Sequence, residues 1–179
     1  MPASQAPSHL GFQQLGQYAS LLAMDETTRS IIDRITVNYK EGRILPTGHN
    51  CKVFYDCADL SPNDLARLAA QATGHLDSDA FDVAVGIAYN GIVFASAVAG
   101  GRKVAILQPD GKITGPDITN KKVVIVDDVV CTGKNFKAAE ELIKRQAGEV
   151  VGYVSIIDRS AGHFAPTKPL WSAYQTTME

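Results

Sequence analysis

Residues 123–135 read Val-Val-Ile-Val-Asp-Asp-Val-Val-Cys-Thr-Gly-Lys-Asn. The β-branched run is a buried strand, and it delivers Asp127 and Asp128 to its end. Cys131-Thr132-Gly133 makes a small-residue turn, and a helix begins directly after it. The turn and the first helical turn offer free backbone N–H groups to a phosphate. The two carboxylates accept hydrogen bonds from a polyol lying above the strand. A sugar phosphate needs both. The same stretch also reads as a Walker-B-like metal site or a plain strand–helix junction. Walker B requires a partner Gly-x-x-x-x-Gly-Lys-Ser/Thr. The Gly-Lys before a plausible helix is Gly133-Lys134, and Asp128 stands five residues ahead of Gly133 where a glycine is required.

Outward from this stretch, Phe81–Ile87, Val104–Leu107 and Val150–Ile157 are further candidate strands. Their near-continuous apolar runs fit a parallel sheet covered on both faces. Helical segments alternate with them. After Gly133, Phe136, Ala139, Leu142 and Ile143 share a face, and Gly148 is the expected stop. Ser61-Pro62 supplies an N-cap and N1 proline for a helix over 63–73 ending near Gly74. Apolar residues from about 13 to 38 fall at helical spacing (Leu15, Tyr18, Leu22, Ile31, Ile32, Ile35), with Asp25 as N-cap of the second helix. Residues 43–57 turn extended around Pro46-Thr47-Gly48. The fold class is therefore α/β, an open doubly wound, mostly parallel sheet with helices on both faces. Ligands of such sheets sit beyond the carboxyl ends of the strands, where the acid pair falls.

The chain has 179 residues, 45% hydrophobic and 20% charged, with a net charge of -2. That suffices for one well-buried core and gives no electrostatic case for nucleic acid or an anionic membrane as partner. Residues 1–10 read as a flexible tail, with neither the basic start nor the apolar run of a signal peptide. Cys51, Cys57 and Cys131 match no zinc spacing, and His9, His49, His75 and His163 are scattered singly. Both features point to a reducing cytoplasm and no structural metal.

A second strand–helix junction, Phe81-Asp82-Val83-Ala84-Val85-Gly86-Ile87-Ala88-Tyr89-Asn90-Gly91-Ile92, brackets a short polar turn with glycines, so backbone amides can approach a second anion. This segment and the acid-pair stretch resemble the pyrophosphate loop and the phosphoribosyl pyrophosphate (PRPP) motif of type I phosphoribosyltransferases, closest to the orotate enzymes. Gly48 with Val53-Phe54-Tyr55 resembles their base-side hood, and Ile157-Asp158-Arg159 the strand end after the motif helix. The resemblance spans roughly residues 40–160.

It implies a single domain over 11–179, with a small hood from about 11–57 plus the C-terminal segment, and a core of about 60–160. It implies that Asp127 and Asp128 hold the ribose hydroxyls. Val130, Cys131, Thr132, Gly133, Lys134 and Asn135 cradle the 5-phosphate. Ala88, Tyr89 and Asn90 meet pyrophosphate through Mg2+, and Phe54, Tyr55 and Arg159 frame a planar base. It also implies a homodimer, with the N-terminal helices and residues 88–100 as contact surfaces.

The pattern departs from the family at several cationic positions. Asn90 replaces the loop lysine, Pro46 replaces a hood lysine, and His49 and Asn50 replace basic residues after the hood glycine. Lys134 stands where a hydroxyl residue is usual. The long basic loop of the family is here a short Pro109-Asp110-Gly111 turn, with Lys112 just past its tip. Lys112, Arg102 and Lys103 are the candidate substitute cations. Two function classes follow: a phosphoribosyltransferase using PRPP and Mg2+ on orotate or a related base, and a non-catalytic PRPP or nucleotide sensor. A hydrolase lacks a visible nucleophile–base pair; Cys131 is read as small-residue packing.

Overall fold

The computed structural model describes residues 24–44, 50–77 and 79–177. The tail, the Leu15/Tyr18/Leu22 spacing, Pro46-Thr47-Gly48 and His49 lie outside them.

Helix α1 (Glu26–Ile35) starts on Asp25, whose carboxylate accepts from Thr28 N. It buries Ile31, Ile32 and Ile35. The helical periodicity extends this helix to about 38, yet it ends at Ile35. The Thr36 hydroxyl donates to Ile32 O at 2.6 Å, and the chain becomes strand β1 (Thr36–Ile44). Thr36-Val37 is β-branched and suits a strand better than a helix. Strand β2 (Asn50–Tyr55) pairs antiparallel with β1, with a register shift between Asn38 and Arg43. This two-stranded ribbon stands apart from the main sheet.

Helix α2 (Pro62–Thr73) is set by a capping box between Ser61 and Asp64. Then follow β3 (Val83–Ile87), α3 (Asn90–Ala99), β4 (Lys103–Leu107), β5 (Ile113–Thr114), β6 (Lys122–Val130), α4 (Lys134–Arg145), β7 (Glu149–Asp158) and β8 (Leu170–Gln175). The sheet order is β5-β4-β3-β6-β7-β8. All pairings are parallel except β4 with β5. This is the mostly parallel α/β sheet that the apolar runs predict.

Two differences matter for the site. Strand β6 does not end at the acid pair but runs two residues further, to Val130, pairing Asp127 with Ser155 and Val130 with Asp158. The C-terminal segment, expected with the hood, instead supplies β8 beside β7, burying Ser172 and Ala173. Its Pro-flanked, mixed composition hides a strand that is fixed by pairing with the strand before it. Helix α4 also ends earlier than Gly148: Ala147 takes the left-handed conformation (φ 57°), and Gly148 N donates to Ile143 O at 3.0 Å.

Two apolar layers cover the sheet. One joins α1, α2 and α3 to Ala84, Val124, Val126, Val154 and Ile156. The other joins α4 to Val83, Val85, Val123, Ile125 and Tyr153. Successive strand residues face opposite layers, so Asp127 points toward α4 and Asp128 toward α3.

Candidate active site

Each aspartate is held by two donors. Asp127 accepts from its neighbour's backbone, Asp128 N to Oδ1 at 3.0 Å, and from Asn135 Nδ2 to Oδ2 at 3.2 Å. Asp128 accepts from Val129 N to Oδ1 at 2.8 Å and from Asn90 Nδ2 to Oδ2 at 2.9 Å. Asp127 is 7% exposed. Burial, followed by the repulsion of Asp128, pushes its carboxyl up to about 8. Asp127 therefore keeps its proton near neutrality, because the amides around it bring no charge.

Two helix starts converge here. Helix α4 begins on Gly133 (φ 69°) with no capping side chain and no acid in its first turn. Instead it carries Lys134 and, one turn on, Lys137. Cations at a helix N-terminus oppose the dipole, an arrangement that suits a bound anion between them and the free N–H groups. An added Cβ at Gly133 would run into the Phe164 ring, so the turn is pressed onto the core. Helix α3 likewise starts on Tyr89 with no capping side chain, after a cis Ala88–Tyr89 peptide. It sits unusually close to β6: a Cβ on Gly91 would lie 2.7 Å from Val126 O and 3.0 Å from Asp127 Cα. The two expected anion loops and the acid pair are thus brought together at one edge.

On the hood side, Tyr55 and Arg159 meet, with the guanidinium 6.0 Å from the ring centroid. Arg159 is 6% exposed. Its Nη1 donates to Val53 O at 2.8 Å and to Cys51 Sγ at 3.0 Å. Its Nε is buried with no partner, and among the described residues no carboxylate pairs with it. Phe54 points the other way. β2 alternates, so Cys51, Val53 and Tyr55 face the core while Phe54 faces outward under the Arg43 guanidinium, 4.8 Å from its centroid. Arg43 also donates to Tyr39 OH at 3.3 Å. Arg43 was not among the expected site residues: it is in register with Cys51, not Phe54, and reaches the ring only across the register shift of the ribbon.

Three expected cations are not at the site. Arg102 and Lys103 stand at the opposite edge of the sheet, because Lys103 is level with Val123. That is about 13 Å below Asp127 at 3.3 Å per residue. Arg102 lies over the Phe81 ring, 4.5 Å from its centroid, and donates to Ala99 O. Lys112 occupies the β4–β5 hairpin, closed by Gln108 N donating to Lys112 O at 2.9 Å. Parallel strands all point one way, so position along the chain misled the first two. Edge placement of β5, three strands from β6, keeps the third away from the acid pair of its own chain.

Cys131, in the phosphate turn, is half-buried. Burial pushes its thiol up, against the pull of Arg159, so it packs as a thiol.

An acid pair on a central parallel strand, set between two uncapped helix starts and under a separate β-ribbon, defines the type I phosphoribosyltransferase class. A phosphoribosyl transferase domain model matches residues 102–176. The orotate phosphoribosyltransferase of Caldanaerobacter subterraneus subsp. tengcongensis is 30% identical over 146 residues, 76% of this chain and 77% of that protein. With that of Pyrobaculum islandicum the chain is 34% identical over 88 residues, 44% of this chain, and spans about half of that protein, 46%. Among solved structures, Mycobacterium tuberculosis H37Rv orotate phosphoribosyltransferase in complex with PRPP superposes with a TM-score of 0.66 at 20% identity, covering 83% of this chain and 94% of that one. The chain belongs to the type I phosphoribosyltransferase family, among orotate phosphoribosyltransferase-like proteins.

Proposed function

We propose that this protein transfers the 5-phosphoribosyl group of PRPP to a ring nitrogen of an acidic planar base, orotate or a close relative, releasing pyrophosphate. The observation that carries this reading is the acid pair seated between two uncapped helix starts.

In the reaction the C1–O bond to pyrophosphate breaks and a C1–N bond forms through an oxocarbenium-like transition state. Asp127 and Asp128 hold the ribose hydroxyls. The N–H groups of 130–135, with Lys134, hold the 5-phosphate, and those of 88–90 the pyrophosphate. The protein's work is positioning and charge stabilisation. Among the described residues no cluster of three acidic, His or Cys side chains could cage a metal. Mg2+ brought by the PRPP phosphates fits beside the Asp128 carboxylate, since it takes one or two carboxylates plus substrate phosphates. Bound there, it would supply charge neutralisation on the leaving group.

Arg159 supports an acidic base. A buried cation with only neutral partners, and with an unpartnered Nε, is stabilised by an incoming anion. Tyr55 beside it offers a ring to stack on. The exposed Tyr89 (77%) and Val93 (56%) at the start of α3 support a homodimer contact there. Among the described residues no helix is long and apolar enough to cross a membrane.

The second reading is a PRPP or nucleotide sensor that does not turn over. The distance of Lys112 from the acid pair favours it. Titration with PRPP and Mg2+, with and without orotate, decides between them. Pyrophosphate release in the presence of base is expected. Tight binding with no release across a panel of bases sinks the transferase and leaves the sensor.

A further inference from the structure

We propose that Asn90 is a positioning residue for the sugar: its side-chain amide holds Asp128 in the orientation that receives the ribose hydroxyls. The inference rests on the reading of the acid pair as the ribose clamp.

The geometry links four residues in a row. Asn90 donates to Asp128, the Asp128 backbone donates to Asp127, and Asn135 donates to Asp127. A carboxylate only accepts, so the amide nitrogen of Asn90 must face Asp128. The row starts in the loop proposed for pyrophosphate and ends in the first turn of α4, where the 5-phosphate is proposed. With Val129 N on Oδ1 and Asn90 on Oδ2, both Asp128 oxygens are pinned. Each oxygen keeps one lone pair for a ligand hydroxyl.

Without Asn90, Asp128 Oδ2 loses its donor and the side chain is free to turn. Asn90 is in turn fixed by its backbone. It is the first residue of α3, and Gly91 directly after it lies against Val126 O and Asp127 Cα, where no side chain fits. The close approach of α3 to β6 thus sets the reach of the Asn90 amide. A residue whose amide is spent on Asp128 contributes to sugar binding even when no pyrophosphate is present.

Ribose 5-phosphate, which lacks pyrophosphate, separates the two roles. Calorimetry with Mg2+ should be run on wild type, Asn90→Ala and the isosteric Asn90→Asp, using ribose 5-phosphate and inorganic pyrophosphate as probes. Melting temperatures are read alongside. For Asn90→Ala the expected result is about a tenfold loss of ribose 5-phosphate affinity, with pyrophosphate affinity and melting temperature unchanged. Asn90→Asp keeps the shape but replaces the donor by an acceptor, so its loss is larger. Unchanged ribose 5-phosphate affinity in either variant overturns the inference while leaving the acid-pair reading intact. Failure of the wild type to bind ribose 5-phosphate overturns both.

Discussion

The helices divide by how their first turns are closed. Helices α1 and α2 begin on Asp25 and Ser61, whose side chains accept from the backbone of the first turn. Helices α3 and α4 begin on Tyr89 and Gly133 with no capping side chain. A side-chain cap is worth roughly 0.5–2 kcal/mol, and two of the four α-helices among the described residues forgo it. Those two are the ones whose starts meet over Asp127 and Asp128. What holds them instead is close packing: Gly91 of α3 against β6, and Gly133 of α4 beneath Phe164. The comparison shows where a ligand is expected to complete the structure.

The largest break in this contrast comes from Gly91→Ala. The new Cβ meets backbone, which cannot rotate away, so α3 must lift from β6. A loss of about 2–3 kcal/mol is expected, read as a lowered midpoint in urea, and it carries Asn90 away from Asp128. An unchanged midpoint would show that α3 is not seated by contact with the strand.

Asp128→Asn comes next. It leaves the fold in place and removes a charged acceptor from the site, costing about 1.5–3 kcal/mol of ribose-phosphate affinity. Calorimetry with PRPP and Mg2+ measures it; wild-type affinity would remove the acid pair from the site.

The acid pair also makes the open side of the molecule sensitive to pH. Native Asp127 holds its proton up to about 8, against 3.8 when unfolded. Between those values the native state binds more protons, so stability falls as pH rises. The contribution is fully present below about 4 and lost as pH passes through about 8. Melting temperature should therefore drop between about pH 4 and pH 8 and level off above, and Asp127→Asn should flatten that slope. Ribose-phosphate affinity runs the other way, because hydroxyls donate to the ionised carboxylate.

Ser61→Ala sharpens the other half of the comparison. It removes the α2 cap and half of its capping box, costing about 1 kcal/mol of stability with no change in PRPP affinity. An affinity loss would mean that capped and uncapped helices are not functionally separate. The smallest effect is expected from Lys112→Ala. The hairpin lies three strands from β6, so pyrophosphate release by the wild type and this variant should agree within about twofold. A large loss would place Lys112 over the leaving group after all.

Much of this was readable in advance where the information is local. The run Val123–Val126, the acid pair, Gly133 and the amphipathic α4 announce a strand, a turn and a helix between residues 123 and 145. Ser61-Pro62 announces α2, and Pro109-Asp110-Gly111 announces the hairpin. The misses share one cause. β8 is a strand because β7 is beside it, and β1 replaces helix after Ile35 because β2 pairs with it. Arg102 and Lys103 are remote, and Arg43 lies over Phe54, only once the strands are laid side by side.

By itself, the sequence determined the strand, turn and helix chemistry around Asp127 and Asp128, because hydrophobic periodicity, β-branching and turn residues act over a few neighbours. Only the tertiary structure decided which helix starts stand open, that Asn90 reaches Asp128, and that Arg159 is buried against Cys51 and Val53 without a counter-charge. Those depend on contacts between residues 38 and more than 100 positions apart, where packing and not local propensity sets the geometry.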